Sequence, residues 1–173
     1  MSVNVALLIL GIFLIGYGAY DVYYKPNVRL DKTLARWLER HYWMVTPEQN
    51  APGEKFYFAI WAQDGAKRRV MISREKLTKG SLGFAAPIEL DSDTVRRIGA
   101  KLSKDQQQQL YEELHILLAS MQLGYNTEVF TKMAVEHSLP IDEHLSERAV
   151  DLKAKEVVNG VIAARSMIRK AVI

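Results

Sequence analysis

From Val3 to Tyr20 the chain carries no charged side chain, and Asn4 is the only strongly polar residue in those 18 positions. As a helix such a run spans about 27 Å at ~1.5 Å per residue, close to the ~30 Å hydrocarbon core of a bilayer. Continuing through Tyr24 adds only Asp21 and places Tyr17, Tyr20, Tyr23 and Tyr24 at headgroup depth, with Lys25 and Arg29 just beyond. We therefore expect residues 1–24 to form a single transmembrane anchor that ends at Pro26. A cleavable signal peptide would need a basic leading region and a small-x-small cleavage site, and neither is evident. A pilin-like leading helix is disfavoured by Pro26 and by the lack of an acid among the first twenty residues. Gly11 and Gly18 would share a face of the span, as glycines in such helices commonly do.

Lys25, Arg29, Lys32, Arg36 and Arg40 follow the run, so the positive-inside bias expects a single-pass protein of the cell membrane with its C-terminal domain in the cytoplasm. That domain holds all 23 Lys and Arg against 19 of the 20 Asp and Glu, a balance of +4. The excess is concentrated beside the span, where it suits anionic lipid better than nucleic acid. With no cysteine, a disulfide scaffold, a thiol nucleophile and a Cys-ligated metal site are excluded.

Residues 25–30 read as a linker and residues 31–173 as one domain of ordinary size. Asp31 can cap a helix over about Lys32 to Met44 whose inner face is Leu34, Trp37, Leu38 and His41. The Pro- and Gly-containing stretch 46–54 reads as a loop. Lys55 to Gln63 alternates Phe56/Phe58/Ile60 against Tyr57/Ala59/Trp61, a strand with both faces covered. Asp64-Gly65 then turns the chain into a second strand, Arg69 to Arg74. After the turn Lys79 to Gly83, a third strand is expected over Phe84 to Leu90, at an edge or bulge because of Pro87. Asp91-Ser92-Asp93 and the capping box Ser103 to Gln106 open two helices, the second C-capped at Gly124. A strand over Thr127 to Leu139 and a helix from Glu143 to Ala171, capped by Asp142, complete the chain. The expected fold class is α+β: a transmembrane helix, then a mostly antiparallel sheet of a three-stranded meander plus one later strand, flanked by helices.

The short Trp-Leu opening helix, the aromatic strand pair (Phe56 to Trp61 with Val70 to Ile72) and the stretch Ile88-Glu-Leu-Asp-Ser-Asp leading into Leu110 to Leu118 resemble the type III secretion chaperone-like fold. The resemblance implies a small cytoplasmic α+β domain, often dimeric, that binds extended protein segments along its sheet and helices. The anchor and the mild basicity depart from the secretion chaperones, and no family residue transfers to a position here.

Candidate chemistry is sparse. Glu136-His137 and Glu143-His144 supply zinc-ligand types, but Pro140 separates them and no helical pair forms. Lys79-Gly80-Ser81-Leu82-Gly83 lacks the spacing and the following helix of a phosphate loop. No Gly-x-Ser-x-Gly or spaced Ser-His-acid set supports nucleophilic catalysis. The remaining features are the basic hairpin residues Lys67, Arg68 and Arg69, with Arg74 and Lys76 nearby, and the aromatic strand residues Tyr57 and Trp61. We expect a non-enzymatic, membrane-tethered adaptor or chaperone-like domain without cofactor or metal. Its partners would be the membrane and other protein chains, in a homodimer or a membrane complex, with no nucleic acid. The alternative is an accessory structural subunit of a membrane complex, held by its transmembrane helix.

Overall fold

A computed structural model describes residues 25–49, 53, 55–78, 80–126, 129–130 and 132–173. The expected anchor, with the interface residues Tyr17, Tyr20, Tyr23 and Tyr24, lies outside the described residues, as do the side chains of Lys25 and Arg29. Among the described residues no helix is long and apolar enough to cross a membrane.

The α+β class holds, but the expected architecture needs correcting. In place of a transmembrane helix and four strands, the described residues form four helices and a six-stranded antiparallel sheet. In chain order these are α1 (Lys25–Arg40), β1 (Met44–Pro47), β2 (Phe56–Gln63), β3 (Arg69–Glu75), β4 (Ser81–Pro87), α2 (Ser92–Lys101), α3 (Lys104–Ser120), β5 (Gly124–Tyr125), β6 (Ala134–Pro140) and α4 (Glu147–Ala171). The sheet order is β1-β2-β3-β4-β6-β5.

Each difference has a local cause. Residues 25–30, expected as a linker, are the opening turns of α1, because proline is tolerated in the first turn where its missing N–H has no helical partner. The helix stops at Arg40, short of Met44. Tyr42, at φ 65°, donates its N–H to the Glu39 carbonyl at 3.0 Å, and Trp43 donates to Leu38 at 3.1 Å. The next residues are then free to pair with β2 as β1, Val45 opposite Ala62 and Pro47 opposite Ile60. The same motif closes α3: Gln122, and not Gly124, takes the left-handed position at φ 59°, while Leu123 donates to Leu118 at 2.8 Å. Gly124 instead begins β5. The last strand starts at Ala134, later than expected, and α4 is capped by Ser146, whose hydroxyl accepts from the Ala149 N–H. Pro87 ends β4 opposite Ala134, and β4 is a central strand, not an edge. The expected Asp91 cap and the Ser103/Gln106 capping box are both present.

A left-handed glutamine is costly where glycine would be free, by about 1–2 kcal/mol before the extra unfolded-state entropy of glycine is subtracted. Gln122→Gly should therefore stabilise the domain by about 0.5–1 kcal/mol, raising Tm by about 1–4 °C in thermal denaturation.

The core lies between one face of the sheet and the helices. Phe58, Ile60 and Ala62 of β2, Val70 and Ile72 of β3, Leu82, Phe84 and Ala86 of β4 and Val135 of β6 supply the sheet side. Leu34 and Leu38 of α1, Leu110, Leu114 and Leu118 of α3, and the α4 stripe Val150, Ala154, Val157, Val161, Ala164 and Ile168 cover it. The α4 residues recur at intervals of three and four, one apolar face of a long amphipathic helix.

Candidate functional site

Successive side chains on a strand point to opposite faces, so every core-facing residue of this sheet leaves an alternate on the other side. Those alternates are Trp61 on β2, Met71 and Ser73 on β3, Gly83 and Ala85 on β4, and Glu136 on β6. They are in register: Trp61 lies opposite Met71, Met71 opposite Ala85, Ser73 opposite Gly83, and Ala85 opposite Glu136. None of them belongs to the core cluster or to the half-buried residues packed on it. All four helices bury their apolar faces on the opposite side, so among the described residues nothing covers this face.

The centre of the open face is smooth because its side chains are small. Ala59 and Ser73 are buried between larger neighbours, and a β-carbon at Gly83 would stand 3.4 Å from the Ser73 hydroxyl. Its dominant projection is Trp61, fixed from two directions. The indole N–H donates to Glu48 Oε2 at 2.6 Å, and the Arg69 guanidinium stacks 5.3 Å from the ring centroid. The four long strands, β2, β3, β4 and β6, are about 23 Å in length and span three interstrand spacings of ~4.8 Å, a face of roughly 330 Å². That is a little under half of the ~800 Å² that one partner contributes to a standard protein interface, the scale of a small or transient contact.

The structure brings Trp61 and Arg69 together but separates them from Tyr57. A bulge between Phe56 and Phe58 breaks the alternation, and Tyr57 packs on the core cluster with Arg74 5.4 Å from its ring centroid. The hairpin basic residues also diverge. Arg68 folds back on Asp64, its Nε donating to Oδ2 at 2.6 Å, while Asp64 Oδ1 accepts the backbone N–H groups of Ala66 and Arg68. Partial burial opposes ionisation of Asp64, but the bonds from Arg68, its charge and the Ala66 N–H outweigh it and hold the carboxyl below its ordinary range. Lys67, at φ 62°, and Arg68 face the α4 side, away from Trp61.

A second polar constellation, unmarked in the sequence, joins α1 to α4. Asp151 is 8 % exposed, and its Oδ1 accepts the Trp43 indole N–H at 2.9 Å. Its Oδ2 accepts from Lys155 Nζ at 2.7 Å and lies 3.4 Å from His41 Nδ1. Glu147 holds Arg40 at 3.0 Å and His41 Nε2 at 3.2 Å. The basic end of α1 thus meets the acidic start of α4, each charge at the pole of its helix that favours it. Burial raises the Asp151 carboxyl. Hydrogen bonds from Lys155 and Trp43 and the charges of Lys155 and His41 more than reverse that, so it stays ionised below the usual range. With every oxygen engaged, this cluster is a fastening and not a poised acid or base.

Of the zinc-ligand types, Glu136 and His137 point to opposite faces of β6, and His144 is exposed in the turn before α4. Among the described residues no three His, Asp or Glu are placed to hold a metal ion. Burial, then the Lys153 charge, lowers the His137 pKa despite Glu156 and a bond to the Gln122 backbone. The folded state therefore favours neutral His137, while the unfolded chain takes up a proton below about pH 6.5. This contribution to stability is intact above pH 6.5 and falls as pH drops from there toward the lowered folded value. His137→Gln should flatten the loss of urea midpoint between pH 7.5 and pH 5.5; an unchanged slope would sink this assignment.

No family model matches the chain, and no curated protein matches it. A solved structure, the crystal structure of an uncharacterized protein from Methanothermobacter thermautotrophicus, is similar with a TM-score of 0.69 at 14% identity, over 82% of this chain and 98% of that one. At that identity the likeness speaks to the fold alone.

Proposed function

We propose that this domain is a non-enzymatic protein-binding module working on the cytoplasmic side of a cell membrane, with the uncharged run of residues 3–20 keeping it there. The partner docks on the open sheet face. The observation that carries this reading is the one-sided placement of the helices, which leaves a smooth, registered surface around a braced tryptophan. Such an aromatic anchor with an Arg beside it is the composition that dominates binding energy in protein interfaces. The small central side chains allow a second layer to approach the sheet closely.

The test is site-specific photo-crosslinking of the full chain in its membrane. A crosslinker replacing Met71, on the open face, should give discrete protein adducts, and one replacing the exposed Leu152 of α4 should not. Trp61→Ala should reduce the Met71 adduct by about tenfold or more, the effect of losing an anchor worth ~2 kcal/mol. Equal yields from both positions, or none from either, would overturn the proposal.

A further inference from the structure

On the other side of the β2–β3 hairpin, the turn faces the flank of α4 across a cavity of about 120 Å³. Its floor is apolar, made of Ala86, Pro87, Val158 and Val161, and its rim carries Lys67, Arg68, Arg69 and Arg165 against the single acid Glu89. Two observations single it out. Arg165 Nε is buried without a hydrogen-bond partner, an uncommon state for a guanidinium nitrogen. Glu89 stands between two guanidiniums without closing on either, its oxygens 3.5 Å from Arg69 and 3.4 Å from Arg165, well beyond the ~2.7–2.9 Å of a tight charge-assisted bond. Lys67 has no carboxylate partner among the described residues.

We propose that this cavity binds a phosphate-type oxyanion, with Arg165 Nε, Arg69 and Lys67 as donors and Glu89 as the internal competitor that holds the guanidiniums apart when no anion is present. With Arg68 already paired to Asp64, Lys67, Arg69 and Arg165 against Glu89 leave a balance of +2, which matches a dianion better than a single carboxylate. The volume admits one phosphoryl group and excludes a nucleotide or other ligand needing ~300 Å³ or more. The apolar floor lowers the local dielectric, which strengthens each contact relative to bulk water. This site shares Arg69 with the open face, where the same guanidinium lies over Trp61, but Lys67 and Arg165 belong to the cavity alone, so substitutions at those two test it without touching the Trp61 brace.

The experiment follows the arginine Nε–H resonances of the full chain in neutral-lipid nanodiscs while inorganic phosphate is added at constant ionic strength, so that screening does not change. The Arg165 signal should shift saturably. Arg165→Gln and Lys67→Asn should each weaken binding about tenfold or more, and asparagine suits the left-handed backbone at position 67, so that variant keeps the turn. Glu89→Gln should act in the opposite direction and tighten binding, which a purely structural role for these residues would not produce. If phosphate gives no shift but nanodiscs containing phosphatidic acid do, and the same variants alter that response, the oxyanion is a lipid phosphomonoester. No saturable shift in either arm, an equal shift with chloride, or a response indifferent to Lys67→Asn and Glu89→Gln would overturn the proposal.

Discussion

Gly160→Val should destabilise the domain by about 3 kcal/mol, the upper range for forcing atoms into a packed core, and lower Tm by about 6–12 °C. Gly160 is buried in the middle of α4, where the helix crosses the segment joining α3 to β5 and the start of β6. A β-carbon there would lie 2.5 Å from Leu123 Cδ1 and 3.1 Å from Val135 Cγ1, with Leu118 Cδ2 at 3.5 Å. Leu123 can turn its terminal methyl aside, but Val135 is β-branched and held in the sheet, so valine's two γ-carbons have nowhere to go. Alanine separates the effects. It restores about 1 kcal/mol of helix propensity, and its β-carbon meets Leu123 and Val135 but adds no γ-carbons, so Gly160→Ala should cost about 1 kcal/mol, well short of valine. Adding Leu123→Ala to Gly160→Val should recover part of the loss, a coupling visible in a double-mutant cycle of urea midpoints. A Gly160→Val protein melting within 2 °C of the parent would show that α4 is not held this closely.

Asp151→Ala should cost about 2–3 kcal/mol, a Tm loss of about 4–12 °C. The substitution orphans the buried Trp43 indole N–H and removes the carboxylate shared by Lys155 and His41. An unsatisfied buried donor costs about 1–3 kcal/mol. Lys155 is half exposed and recovers hydration, which keeps the total below that of a fully buried ion pair. Asp151→Asn retains an oxygen for Trp43 and should lose only about 1 kcal/mol. Pairing Asp151→Ala with Trp43→Phe should cost less than the sum of the two. The folded pKa of Asp151 is depressed, so its contribution is fully present above the unfolded value near 4 and is lost as pH falls through the folded one. The parent and Asp151→Ala proteins should therefore converge in stability at strongly acidic pH and differ most at neutral pH. A constant difference across that range would sink the electrostatic part of the argument.

The elements legible in the sequence are those specified locally. Asp91, Ser103 and Asp64 each satisfy nearby backbone groups, so their caps and turn can be read within a few residues. The strands missed are those that exist through pairing alone. β5 is two residues long, and β1 has four with a proline at its end; what makes them strands is β6 and β2 alongside. Tyr57 and Trp61 looked equivalent because an alternating pattern cannot register a bulge, and the extra residue sent them to different surroundings. Asp151 carries no signal of its own in the sequence, since its meaning depends on Trp43, distant along the chain. The open face was legible only as residue types, because which side of a sheet the helices choose is a tertiary property.

The strand order carries a consequence for how the chain reaches this structure. Four of the five neighbouring strand pairs join elements consecutive in sequence, and β4 with β6 is the exception, closing a loop that contains α2, α3 and β5. Because loop-closure entropy is lost before that seven-residue seam forms, the four-stranded meander can assemble early and wait for its sixth strand. Substitutions within the early meander, its β1 edge included, then bear on the rate of folding, while those along the seam completed last, at Leu139 or Val135, bear on the rate of unfolding.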